Sequence, residues 1–271
     1  MKCNITIDEK SFSYDLDGSF TWGNSEVLFD DFEYIINQAA WKDQGYGIID
    51  ILDQADHLKM VNSIKRALVS IAKNSVGVDL EETDLSDYHK KISHEQHLKI
   101  VHNTRFIQFS DIDMDIERLC DQVSDELKVR ASTNNSKLSK DFVTLRISRP
   151  RSLDINPPHR DGYLEVYENT INLWIPIVGC TRESSLPVMA ASHLINESNV
   201  YRTQVKGATI NSVSYHVPGI VDTKDGMKFI RPNPMPGQAL IFTPFLIHGS
   251  AINEQPDITR MSLEIRLAVE P

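Results

Sequence analysis

The chain has 271 residues, 41% hydrophobic and 24% charged, an ordinary globular mixture long enough to build a sizeable core without disulfides or structural zinc. Thirty-eight Asp and Glu against 28 Lys and Arg give a net charge of −10, which argues against a nucleic-acid partner because phosphate binding needs a basic footprint. Cys3, Cys120 and Cys180 are scattered and form no C-x-x-C pair, the start MKCNITIDEKSF lacks a signal-like apolar run, and no stretch approaches the ~20 apolar residues of a membrane span, so the expectation is a soluble, cytoplasmic protein with no membrane partner.

The periodicity changes once along the chain. Phe29 to Trp41 reads as a helix stopped near Gly45 and Gly47. From Asp53 to Lys73, Leu58, Val61, Ile64, Leu68 and Ile71 repeat at helical spacing behind a candidate N-cap, Asp53. Ser93 can cap a short helix from His94 to about Val101, and Ile116, Leu119, Val123 and Leu127 mark a further amphipathic helix. The polar stretch from Ala131 to Lys140 marks the change of regime. One domain is expected, mostly helical over 1–140 and β-rich over 141–271.

In the second part Phe142 to Ser148 and Ile171 to Ile177 alternate, and Gln238 starts a strand after the Pro236-Gly237 turn. Thr259 to Val269 alternates most clearly, with Met261, Leu263, Ile265 and Leu267 on one face and Arg260, Ser262, Glu264 and Arg266 on the other. That polar face can line a cavity as well as meet solvent. Short strands separated by Pro, Gly and Asn turns predict an α+β fold with a mainly β core, a sandwich or jelly-roll barrel. Residues 195–236 interrupt the pattern and read as a substrate-covering insertion, with Tyr201, Arg202, Lys206, Tyr215, His216 and Lys224 available to a polar or anionic small molecule.

The chemistry concentrates at PPHRDGY and PFLIHGS. His159 and Asp161 lie two apart, so on a strand or at its end both side chains project from one face, while His248 must come from a different strand across the barrel. Pro157-Pro158 stiffen the approach and Gly162 permits a sharp turn. Two imidazoles and one carboxylate form a facial triad suited to Fe(II), leaving positions open for a cosubstrate and O2. Downstream, Arg260 carries a forked cationic group suited to the far carboxylate of 2-oxoglutarate, with Ser262 two residues further on the same strand face.

PPHRDGY, NLWIPIVGCTRESSLPVMAASH, PGQALIFTPFLIHGS and TRMSLEIRL together resemble the phytanoyl-CoA dioxygenase-like group of Fe(II)/2-oxoglutarate oxygenases, and GYGIIDILDQADHLKMVNSI is similar to that group's helical beginning. The resemblance implies a double-stranded β-helix with a helical N-terminal part packed on it. It implies iron held by His159, Asp161 and His248, and 2-oxoglutarate anchored by Arg260 with help from Ser262, with release of succinate and CO2. Retention of Asp161 favours hydroxylation over halogenation, in which related enzymes replace the carboxylate by a small residue. One departure is Ala190-Ala191-Ser192-His193 where the family often has Pro-Gly-Ser-His.

Other residues leave alternatives open. Arg146 and Asn172, on polar strand faces, either touch the 2-oxoglutarate carboxylates or the substrate, or make structural hydrogen bonds. Trp174 lines the cavity or simply packs. Glu264 and Arg266 either pair with each other or, for Arg266, rival Arg260 as the carboxylate clamp. His94 and His97 are expected on a solvated helix face, His193 in a structural turn, and Arg105 in a position to meet an anionic substrate. Two further functions remain open: a cupin-type metal enzyme that does not use 2-oxoglutarate, and a non-catalytic β-barrel binding module.

Overall fold

The computed structural model describes residues 1–24, 33–135, 137, 141–152, 156–204, 208–210, 213–214 and 217–270. The chain opens with strands and not helix: β1 (Lys2–Ile7) and β2 (Lys10–Asp15) form an antiparallel hairpin, followed by β3 (Phe20–Trp22). Of the helix expected from Phe29 to Trp41 a single turn is described, α1 (Glu33–Ile36); residues 29–32 lie outside the described residues. Next comes a strand that helical periodicity concealed, β4 (Tyr46–Asp50). The expected helices follow as α2 (Gln54–Val76), α4 (His94–Thr104) and α5 (Ile116–Leu127), with a short α3 (Tyr88–Lys91) that was not expected before α4. Asp53 caps α2 by accepting from Asp56 N at 2.8 Å, and Ser93 closes a capping box with Gln96. The seam of α2 differs by one position from the expected stripe: Met60, Ile64, Leu68 and Ala72 are buried, while Leu58 is 55% exposed.

The remaining strands are β5 (Arg130–Ser132), β6 (Val143–Ser148), β7 (Thr170–Val178), β8 (Val200–Thr203), β9 (Thr209–Ile210), β10 (Val213–Ser214), β11 (Ile220–Thr223), β12 (Lys228–Phe229), β13 (Gln238–Phe242) and β14 (Arg260–Glu270). Strands β4-β13-β7-β14-β5 make one antiparallel sheet, with β6 also pairing along the first half of β14. Its outer face carries the apolar set of the alternation. Val143, Leu145, Leu173, Ile175, Leu263 and Ile265 pack with α2, α4 and α5 into the largest core, each such burial stabilising by roughly 1.5–3 kcal/mol.

The opposing layer is broken into shorter pieces: β12-β1-β2, β11-β8-β3 and β10-β9. A strip of single bridges, His159 to His248, His248 to Val188 and Val188 to Ile230, runs through this layer. The two layers make a double-stranded β-helix with Trp174, Leu186, Val188, Leu240 and Phe242 between them. The stretch 195–236 is therefore no interruption, because it supplies β8, β11 and β12 to the second layer, where β8 pairs with β3, β12 with β1, and β11 with β8. The first 22 residues likewise correct the expectation of a mostly helical 1–140, since β1, β2 and β3 belong to that layer. The cysteines are free, and no helix among the described residues is long and apolar enough to cross a membrane.

Candidate metal centre

His159 and His248 face each other across one antiparallel bridge: His159 N donates to His248 O at 2.9 Å and His248 N to His159 O at 3.1 Å. The rings lie side by side with centroids 4.4 Å apart. This corrects the expectation that His248 reaches the site from across the barrel. Asp161 begins a short 3-10 turn, Asp161–Tyr163, so the turn and not strand alternation aims its carboxylate. Gly162 is required for space and not for an unusual φ, since a Cβ there would lie 2.4 Å from the Phe245 ring. Gly249 needs both: its φ is +127° and a Cβ would meet Pro157 O at 2.6 Å.

His159 Nε2 lies 3.5 Å from Asp161 Oδ1, and His248 Nε2 lies 3.8 Å from Asp161 Oδ2. One ligand atom from each residue falls within 4.8 Å of the others, and all three residues are buried. The tautomers follow from the outer nitrogens. His159 Nδ1 donates to Pro157 O at 2.7 Å and His248 Nδ1 to Leu246 O at 2.9 Å, which leaves both Nε2 atoms as acceptors. Burial, and then the neighbouring His159, push the His248 pKa down to about 4, so its imidazole is neutral at neutral pH. Burial alone would raise the Asp161 pKa, but Arg266 and the two histidines outweigh it and hold the carboxyl well below the usual range. Three buried side chains, one of them anionic, converge, an arrangement that a divalent cation satisfies. The residues fit a metal.

The turn between the ligands is pinned from below. Arg160, fully buried, donates to Glu197 Oε2 at 3.1 Å and to the carbonyls of Ser192 and Ile195 at 2.7 and 2.9 Å. Glu197 also accepts from Arg202 and from Tyr163 Oη. This network was not legible beforehand, because its members are spread from 160 to 202. The only hint was an Arg standing between the two ligands.

A cavity of about 520 Å³ opens from the two imidazoles, and Trp174, Arg260, Glu264, Arg146 and Arg266 line one wall. Arg260 is 3% exposed. Its guanidinium donates to Ser184 O at 3.1 Å, Ser262 Oγ at 3.1 Å and Ala251 O at 3.3 Å. Ser262 therefore orients Arg260. Arg146 pairs with Glu264 at 2.8 Å. Asn172 Nδ2 donates to Asp161 Oδ2 at 2.9 Å, so it attends the carboxylate ligand. Arg266 does the same at 2.8 Å, which makes Asp161 its main partner, and its expected pair with Glu264 is the longer contact at 3.9 Å.

Helix α4 also lines the cavity, through His94, His97, Leu98 and Val101. His97 is buried and its Nδ1 is 3.2 Å from Tyr88 Oη, and Arg149 reaches His94 Nδ1 at 2.8 Å. His94 is exposed as expected while also lining the cavity, whereas His97 is buried, because α4 packs beside β6. Arg105 does not line the cavity; it sits exposed at the end of α4, bonded to His102 and near the Phe106 ring. His193 is structural as expected, with Nε2 2.8 Å from Lys42 O. Of the stretch 195–236, Ile210 is the one described residue that reaches the cavity, whereas Tyr201, Arg202 and Lys224 stand elsewhere, and Lys206, Tyr215 and His216 lie outside the described residues.

The protein family described as phytanoyl-CoA dioxygenase (PhyH) matches residues 42–262. Among solved structures, AviO1 from Streptomyces viridochromogenes Tue57 is 14% identical, with 84% of this chain and 93% of that chain covered and a TM-score of 0.49. The epimerase SnoN, in complex with Fe3+, alpha ketoglutarate and nogalamycin RO, is 13% identical over 88% of this chain and 83% of that one, with a TM-score of 0.49. EctD from S. alaskensis with 2-oxoglutarate and 5-hydroxyectoine is 12% identical over 94% and 83%, with a TM-score of 0.47. No curated protein matches the chain.

Proposed function

The chain belongs to the phytanoyl-CoA dioxygenase family, and from that premise we propose that it is an Fe(II)- and 2-oxoglutarate-dependent dioxygenase that hydroxylates a small polar molecule. The observation that carries this reading is the convergence of buried His159, Asp161 and His248 at one end of a cavity that Arg260 also lines. When bound there, Fe(II) with 2-oxoglutarate and O2 supplies the oxidising chemistry, the cosubstrate leaving as succinate and CO2.

The side chains supply the binding and the order. His159 and His248 turn Nε2 toward the site because their Nδ1 atoms donate to backbone carbonyls. Arg260 holds a permanent positive charge in a dry wall, and Ser262, Ser184 and Ala251 fix its fork. A carboxylate of 2-oxoglutarate gains a charge-assisted contact there. Trp174 and the α4 residues line the substrate space. The α4 residues mix imidazole and aliphatic groups, which suits a small molecule with both polar and apolar parts. Asp161 fills the ligand position that a halide would need, which supports hydroxylation.

The test is an anaerobic titration of the metal-free protein with Fe(II) and then 2-oxoglutarate, recording the visible metal-to-ligand charge-transfer band. The expected band disappears in His248→Ala and weakens in Arg260→Ala. Iron binding without a band would favour a metal enzyme that does not use 2-oxoglutarate. No iron binding would leave a binding module.

A further inference from the structure

Asp161 is gripped on one oxygen only. Its Oδ2 accepts from Arg266 Nη2 at 2.8 Å, Arg266 Nε at 3.2 Å and Asn172 Nδ2 at 2.9 Å. A carboxylate oxygen offers about two lone-pair sites, so three donors saturate Oδ2. None of these donors reaches Oδ1, which is the oxygen 3.5 Å from His159 Nε2.

The grip is built into the sheet. Arg266 and Asn172 are direct cross-strand partners in the β14–β7 register, so one pair delivers every donor. Arg266 is held from the other side by rings: its guanidinium carbon lies 4.6 Å from the Tyr167 centroid and 5.6 Å from that of Phe142, and the two rings meet edge-on at 4.9 Å. Such cation–π contacts favour a desolvated guanidinium in one orientation. Glu264 is occupied by Arg146 at 2.8 Å, which leaves Arg266 to Asp161.

We propose that Arg266 and Asn172 are positioning residues that make Asp161 a one-oxygen metal ligand. By engaging Oδ2, which lies 3.8 Å from His248 Nε2, they leave Oδ1, 3.5 Å from His159 Nε2, as the ligating oxygen and prevent the carboxylate from taking a second coordination position. The position so kept open is one the cosubstrate and O2 need. This inference rests on the metal reading above and assigns both residues a role that acts through Asp161.

The test uses the full chain loaded anaerobically with Co(II), whose visible d–d absorption reports ligand number and geometry. The variants are Arg266→Met, which keeps a flexible apolar chain between the rings, Arg266→Lys and Asn172→Ala. Arg266→Met is expected to change the d–d band and to weaken Co(II) binding ten- to hundredfold. Arg266→Lys should restore part of both, and Asn172→Ala should show a smaller change of the same kind. Loss of Co(II) binding in a variant that still melts cooperatively also supports the inference. A lowered melting temperature with an unchanged d–d band and unchanged Co(II) affinity would overturn it, because the ion pair would then serve the fold alone. If Arg266→Met does not fold, Asn172→Ala decides by the same two readouts. A wild-type chain that binds no Co(II) would instead sink the metal reading itself.

Discussion

His248 shows most directly what burial does to a single residue. Its pKa falls from 6.5 to about 4 on folding, through burial first and the neighbouring His159 second. The unfolded chain therefore takes up this proton first as pH falls. Stability from keeping the ring neutral is fully present above pH 6.5 and is lost as pH drops toward 4. The metal-free protein should accordingly melt at progressively lower temperature across that window, and His248→Gln should flatten the slope; thermal melts at half-unit steps check this. Asp161, whose carboxyl is held low chiefly against burial by Arg266, contributes in the same direction only at more acidic pH. At Arg260 the loss of a buried charge-assisted contact should cost about 1.5–3 kcal/mol of cosubstrate binding. In Arg260→Ala the dissociation constant for 2-oxoglutarate should therefore rise on the order of ten- to hundredfold while metal binding persists, as read by isothermal titration.

At the scale of elements, local chemistry and packing can be separated. Asp53 accepts from Asp56 N at the start of α2, far from the cavity. Asp53→Ala should cost about 1 kcal/mol in denaturant unfolding and leave metal affinity unchanged. The Ala190-Ala191-Ser192-His193 turn gives the opposite case. Ala191 adopts φ +59°, a left-handed conformation that favours glycine. Ala191→Gly should therefore stabilise by up to about 1 kcal/mol, visible as a shifted urea midpoint. The helices themselves were legible because caps and 3.6-residue spacing are local signals, as with Asp53 and Ser93. What α4 faces was not legible: His94 and His97 share a helix side in any reading, and only packing beside β6 makes that side line the cavity.

For the whole molecule, metal binding and folding are linked. The three ligands come from two separate stretches, so the unfolded chain has no comparable site and a bound cation stabilises only the folded form. At a hundred times its dissociation constant, Mn(II) or Co(II) should add about 2.7 kcal/mol, a rise in melting temperature of about 5 °C for a domain of this size. His159→Ala should abolish the rise, and an equal rise in that variant would show that the cation binds elsewhere.

The sequence by itself determined the candidate ligand set, the strand alternation and the family, because side-chain type, period two and short motifs are written within a few residues. It determined that Arg260, Ser262, Glu264 and Arg266 share one face of β14. Only the tertiary structure decided what that face meets. The antiparallel bridge that sets His159 beside His248, the pairing of 195–236 with the first 22 residues, and the Asn172–Arg266 pair closing on Asp161 all depend on register between segments remote in sequence. Register is fixed by the summed packing of two layers and not by any local preference, so it becomes visible only once the chain is folded.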